Sequence, residues 1–326
     1  MENKNNEIKE TLNNVEITGV LVKNGLEVRN SGQEDENISG ALVLRTEDGS
    51  EHDIRYYATR FKKKDGKFTS EESKLYPSYI TMLENYKSLD MLQAGIELSD
   101  VKLGEDVDVI KTGSATFKDN DFMGKDGNIV STNQLKATFA NRVKPETIES
   151  TVRTAKFEVS GIITKMELET RKDGSQTGNG IVRLDMIGYQ GTIIPIKLTV
   201  PQAIMEGFGQ AGFYETGSAK FTGHIINTSK EEEVREKQSF GEDNVYTRTI
   251  TVKRYEICGG SPLGTLESLG LTQEQYEMGK SKRRLKLEEV KNNDGATNSQ
   301  PTQQNAFTQA PEQQANANPF SNPFAK

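Results

Sequence analysis

The chain has 326 residues, 33% of them hydrophobic, a formal net charge of -7, one cysteine and no tryptophan. A lone cysteine excludes an intramolecular disulfide and fits a reducing compartment. The acidic balance argues against a duplex-DNA binder held by a broad basic face, but not against a single-strand binder, which relies on aromatic stacking and a local basic track. No stretch approaches the roughly 18 apolar residues of a membrane span. The opening Met1-Glu2-Asn3-Lys4 lacks the apolar core of a signal peptide, so a cytoplasmic location is expected.

Residues 15 to 22, 40 to 45, 52 to 58 and 134 to 143 are rich in β-branched and aromatic side chains between Gly, Asn and Asp clusters, which predicts short strands. After Pro77, Tyr79, Met82, Leu83, Tyr86 and Leu89 recur at helical spacing. Further strands are predicted at 156 to 164, 180 to 187, 192 to 200, 218 to 226 and 245 to 257, with a shorter helical segment at Pro201-Gln202-Ala203-Ile204-Met205. These two series are copies. Val15-Glu16-Ile17-Thr18-Gly19-Val20 returns as Phe157-Glu158-Val159-Ser160-Gly161-Ile162. Gly40, Leu42 and Leu44 return as Gly180, Val182 and Leu184, and Gly49, Ile54 and Arg55 as Gly191, Ile196 and Lys197. A period of about 140 residues is too long for a solenoid and indicates two copies of one domain.

Three strands, a helix and two more strands is the order of the OB barrel, with the helix plugging the floor between strands three and four. The expected fold is therefore mainly β: two tandem five-stranded OB-type barrels, at 11–150 and 151–265, after a flexible N-terminus at 1–10. A helical segment follows at 266–291, opened by a cap at Thr272. Residues 292–326 are Asn, Gln, Ala, Pro and Ser, a composition expected to be disordered. Within it, Phe320 and Phe324 of two Asn-Pro-Phe triplets resemble a peptide that docks on a partner.

Several motifs fail on context. Gly207-Phe208-Gly209-Gln210-Ala211-Gly212 matches the dinucleotide fingerprint but lacks the strand before it and the helix after it, and reads as a loop. Lys63-Lys64-Asp65-Gly66 matches the ligase nucleotidyl motif without its companions and reads as an exposed turn. Asp119-Asn120-Asp121 opens like a calcium loop, but Met123 and Val130 occupy ligand positions. His52, His224 and Cys258 are too scattered for zinc. No catalytic constellation, cofactor or metal site is expected.

Period-two reading of the strands puts Arg45, Arg55 and Tyr57 in the first copy, and Arg183 and Lys197 in the second, outside the core series. Arg55 and Lys197 fall at matching repeat positions. Long connections at 24 to 37, 118 to 133, 169 to 179 and 227 to 244 are read as the ligand loops of the barrels. Phe117, Phe122, Phe240 and Tyr246 lie in or beside them, Tyr189 sits in a turn, and Arg60-Phe61-Lys62-Lys63-Lys64 interleaves an aromatic with cations. Rings of this kind stack on bases while Lys and Arg meet phosphates. The alternative is that individual rings plug the barrels.

The duplicated Glu-[Ile/Val]-[Thr/Ser]-Gly-[Val/Ile] strand, the paired barrels and the C-terminal helix with its Gln/Asn-rich, Phe-tipped tail resemble the tandem-OB single-stranded DNA-binding proteins of large bacteriophages of low-GC Gram-positive bacteria. The resemblance implies a non-catalytic protein that coats single-stranded DNA during replication or recombination in the host cytoplasm, with replication or recombination proteins as partners of the tail. The tail lacks the acidic cluster usual in such proteins and ends in Lys326. A phage structural or adaptor protein is the alternative reading. Stacking ignores the sugar, so RNA stays open as a ligand.

Overall fold

The computed structural model describes residues 8–171, 173–236, 240 and 244–293, and is mainly β. Its first half contains β1 (Asn13–Asn24), β2 (Glu27–Arg29), β3 (Asn37–Arg45), β4 (Glu51–Thr59), β5 (Phe61–Lys64), β6 (Lys67–Glu72) and α1 (Leu75–Asn85). It continues through β7 (Val109–Gly113), β8 (Thr116–Met123), β9 (Ile129–Lys136) and β10 (Phe139–Arg142). The second half comprises β11 (Ala155–Thr170), β12 (Gln176–Ile187), β13 (Ile193–Val200), α2 (Met205–Gln210), β14 (Ser218–Glu236), β15 (Asn244–Gly264) and α3 (Gln273–Asn293).

The two halves have the same hydrogen-bonding circuit. In the second, β11 pairs with β12, β12 with β13, β13 in parallel with β15, β15 with β14, and β14 with β11 again. In the first, β1 pairs with β3, β3 with β4, β4 in parallel with β9, and β9 with β8. β7, separated from β8 only by Ser114 and Ala115, returns to β1. Alternation along β4 turns His52, Ile54, Tyr56 and Ala58 inward and leaves Asp53, Arg55 and Tyr57 exposed. Tyr79 and Met82 of α1 close the first core, and Tyr79 donates to the Thr138 carbonyl at 3.0 Å.

The duplicated motif accounts for how the halves join. Asn13 lies opposite Val159, Val15 opposite Phe157 and Ile17 opposite Ala155, so each copy's first strand meets the other in antiparallel, reciprocal register. Thr18 N–H donates to the Thr154 carbonyl at 2.9 Å, and its counterpart Ser160 N–H to Leu12 at 2.8 Å. The motif glutamates each take a lysine from the neighbouring strand, Glu16 with Lys111 at 3.2 Å and Glu158 with Lys220. A Cβ on Gly19 would lie 2.8 Å from the Arg45 carbonyl oxygen, and one on Gly161 would lie 2.3 Å from that of Asp185, so the close crossing of the second strand requires glycine in both copies. A bulge follows at the same place, between Leu21 and Lys23 and between Ile163 and Lys165. These pairs relate the halves by a local two-fold axis at Val15 and Phe157. Two further contacts cross between the halves: the Asn227 side chain of β14 bonds the Glu51 carbonyl of β4, and that of Asn133 in β9 bonds the Pro195 carbonyl of β13.

The structure corrects three sequence expectations. Residues 118 to 133 and 227 to 244 are not long loops: most of the first segment forms the β8–β9 hairpin, and the second lies largely in β14 and β15. Their polar composition suggests loop, but each strand satisfies its partner's backbone, and Glu232 and Arg248 sit opposite each other with an ion pair at 3.0 Å. Gly207 and Gly209 lie inside α2. The segment at 134 to 143 divides into the end of β9 and β10, and the strand before it, β7 with β8, was missed.

Helix α3 spans both halves. A reciprocal cap opens it, with Gln275 N–H donating to Thr272 Oγ1 at 3.2 Å and Thr272 N–H to Gln275 Oε1 at 2.9 Å. Tyr276 donates to Asp185 of β12 at 2.9 Å. Arg283 donates to Asp119 at 2.7 Å and to Asp121 at 2.5 Å, both on β8. The acidic pair that opens like a calcium loop is therefore a clasp for a guanidinium. Burial pushes the Asp121 carboxyl upward, yet Arg283 and Ser131 hold it below the usual carboxylate range.

Candidate nucleic-acid interface

Four of the predicted contact residues come together along consecutive elements of the first half. Arg55 and Tyr57 project outward from β4, and Tyr57 is 49% exposed. Across β3 they face Ala41 and Ser39, whose small side chains leave the ring open. Lys136 of β9 stands beside Arg55 in the parallel pair and places its ammonium 5.9 Å from the Tyr57 ring centroid. A solvent-facing ring thus has an ammonium over it, with Arg55 two residues before it on the same outward face. The chain then runs into the β5–β6 hairpin, where Arg60 lies 5.3 Å from the Phe61 centroid and Lys63 4.4 Å from that of Phe68. Asp65 and Gly66 take positive φ, 51° and 78°, at its turn. Among the described residues, Arg55, Lys63, Lys64, Lys67 and Lys136 have no ion pair.

A buried carboxylate anchors this hairpin. The Glu36 side chain, 6% exposed, accepts from the Tyr76 hydroxyl at 2.6 Å, from Gly32 N–H at 2.6 Å and from Arg60 at 3.3 Å. The Tyr76 hydrogen bond, with that from Gly32 and the Arg60 charge, holds Glu36 below its ordinary range. Lys136 and Phe68 escaped the sequence reading. Phe68 had a local signal, an aromatic among cations two residues beyond the Asp65-Gly66 turn, whereas Lys136 enters through a parallel strand pairing that no local pattern encodes.

Arg45 is committed elsewhere. It bonds Glu51 through Nε at 2.9 Å and Nη2 at 2.6 Å, and lines a groove of about 490 Å³ with Lys23, Asp53, Asp90 and the apolar wall of Leu89, Leu92 and Ile96. Phe122 is half-buried near the far end of β8, opposite Val130. Phe117 faces inward: fully buried, it lies 4.8 Å from Tyr255 and 6.1 Å from Phe157, edge-to-face, and fills the joint between the halves.

The second half offers cations in a row. Lys165, Arg183 and Lys197 stand opposite one another on β11, β12 and β13, all exposed. Glu167 lies beside the row and pairs with Lys165 and, at 3.1 Å, with Arg183; these cations hold its carboxyl low. The aromatics stand apart. Tyr189, 67% exposed, occupies the turn after β12, beside Gln190, whose carbonyl binds Lys282 of α3. Tyr246 lies near the distal end of the β14–β15 arm, opposite Val234, and Phe240 is almost fully exposed. Tyr246 is eight residues from Arg254, about 26 Å along an extended strand.

The expected match of Arg55 with Lys197 is shifted. Lys197 faces Arg183 across β12, but Arg55 faces Ala41, and Asp53 faces Val43, the counterpart of Arg183. The turn carrying Tyr189 slides the third strand by two residues relative to the first copy, which a sequence alignment of isoleucines does not register. Phe320 and Phe324 lie outside the described residues.

His52 is buried in β4, near Thr46 at 3.4 Å, and burial, with the Lys253 charge, pushes it down to about 4. Among the described residues no cluster of three His, Cys, Asp or Glu side chains suits a metal ion, and no helix is long and apolar enough to cross a membrane.

The YorF family model matches residues 11–293. The chain belongs to the YorF family. No curated protein matches the sequence. Among solved structures, it is similar to the wild-type single-stranded DNA-binding protein of Thermus aquaticus, at 13% identity over 78% of this chain and 93% of that one, with a TM-score of 0.42. A deletion mutant of the same protein gives 15% identity, 78% and 95% coverage, and a TM-score of 0.38. A replication protein A heterotrimer bound to single-stranded DNA gives 9% identity, 85% and 70% coverage, and a TM-score of 0.21. At these scores the ligand has to be argued from the site itself.

Proposed function

We propose that each circuit is a five-stranded OB-type barrel and that the protein is a non-catalytic, phage-type coat for single-stranded DNA, acting in replication or recombination in the host cytoplasm. The strand order, with one parallel closing pair and a helix between the third and fourth strands of each circuit, supports the barrel reading. The observation that carries the function is the exposed Tyr57 ring beside the paired cations Arg55 and Lys136 on an outward strand face. A base stacks on such a ring while the flanking cations meet its phosphates, and the hairpin with Phe61, Lys63 and Phe68 extends the track. Lys165, Arg183 and Lys197 give the second barrel a phosphate-binding row with its own counter-ion, Glu167. The Phe320 and Phe324 tip is left for replication or recombination partners.

Fluorescence anisotropy of labelled oligo-dT, with an equal-length duplex as competitor, tests this reading. The expected result is binding that duplex does not displace and that weakens with salt. Absence of binding at low salt would overturn it in favour of a structural or adaptor role.

A further inference from the structure

The two-fold relation between the halves bears on the direction of a bound strand. β1 runs antiparallel to β11, and both are followed on the same edge by their own second strands: β3 pairs with Val20–Asn24 of β1, beyond the β11 contact, and β12 with Ile162–Thr170 of β11, beyond the β1 contact. Going from the first strand to the third therefore leads in opposite directions in the two halves. The reciprocal bonds Thr18 to Thr154 and Ser160 to Leu12 fix this arrangement through the joint, and the Asn227 and Asn133 side chains bond the halves together at the flanks. Single-stranded DNA has a direction, and the bulged first strand presents an exposed lysine at the same place in both copies, Lys23 and Lys165.

We propose that one chain holds two single-stranded segments of opposite polarity, one on each half. The inference rests on the single-strand reading above. Because both faces share one backbone, the sense of the strand on one fixes its sense on the other. A smooth path over both faces then suits a strand whose polarity reverses at the axis, whereas a natural strand has to double back or be joined by a second strand.

The test is competition anisotropy with three oligo-dT ligands of equal length, each made of two segments sized for one half. In one the junction is the natural 3'–5' linkage; in the others it is inverted, 3'–3' or 5'–5'. One inverted oligonucleotide is expected to bind about tenfold or more tighter than the natural one, because only it engages both faces across a short junction. A natural oligonucleotide that binds as tightly as both inverted ones would overturn the proposal. Failure of all three, and of the half-length segment, would instead sink the single-strand reading. With tight binding of an inverted ligand established, a long flexible spacer in the natural oligonucleotide separates the two sources. Recovered affinity means one strand doubling back; no recovery means two strands.

Discussion

The two halves share a circuit, a bulge and a glycine crossing, yet they present different chemistry to solvent. The first displays an exposed ring beside a pair of cations and a basic hairpin; the second displays a cation row with an acidic partner and keeps its exposed rings at distant ends. What stayed equivalent is what strand crossing and pairing require: Gly19 and Gly161 at the second-strand crossing, Thr18 and Ser160 at the joint, and Glu16 and Glu158 beside the lysines of neighbouring strands. What diverged lies on the outward faces. Backbone crossings tolerate almost no substitution, whereas an exposed strand position changes at little cost.

The comparison is broken most drastically at the joint. Phe117→Ala removes a fully buried ring that meets Phe157 and Tyr255, and is expected to cost about 3–5 kcal/mol in urea unfolding. Separate unfolding of one half with the other unperturbed would show that the joint is not cooperative. Arg283→Ala leaves the Asp121 carboxylate, whose side chain has no exposure, with only Ser131 and Lys286 at 3.6 Å, and is expected to cost about 2–3 kcal/mol and to make α3 sensitive to protease. Unchanged protection of α3 would mean that the clasp does not hold the helix.

His52 sharpens the comparison through pH, since its counterpart in strand pairing, Ile196, does not titrate. Its proton affinity is lowered in the folded state, to about 4 from an ordinary 6.5, so the unfolded chain binds the proton more readily. Stability is full above about pH 6.5 and falls as pH drops toward 4, by about 2–3 kcal/mol. His52→Leu is expected to flatten that part of the pH–stability profile; an unchanged slope would assign it to other groups.

On the faces, Tyr57→Ala is expected to weaken binding of oligo-dT by about 1–3 kcal/mol with little change in salt dependence. Replacing Arg183 and Lys197 together by Ala is expected to have the smaller effect at moderate salt and to lower the salt slope by about one unit. The reverse pattern, with Tyr57 neutral, would make the second half the principal face.

Much of this plan was legible before the structure. The repeated Glu-[Ile/Val]-[Thr/Ser]-Gly strand announced the duplication, and alternation placed Arg55, Tyr57, Arg183 and Lys197 outside. The Thr272 cap was visible as a helix start. Other features were hidden because they depend on pairing across long sequence separations. Lys136 reaches Tyr57 only through the parallel β4–β9 pair, and Phe117 is buried only because the second half supplies Phe157 and Tyr255. The polar β14–β15 arm looked like a loop because strand pairing, not apolar burial, orders it.

The absence of tryptophan makes the central claim directly measurable, because Tyr57→Trp introduces a single indole at the proposed stacking position. Titrated with oligo-dT, its emission is predicted to be quenched saturably, over the same concentration range in which anisotropy reports binding. Binding by anisotropy with the indole emission unchanged would contradict the assignment of this face as the single-strand contact.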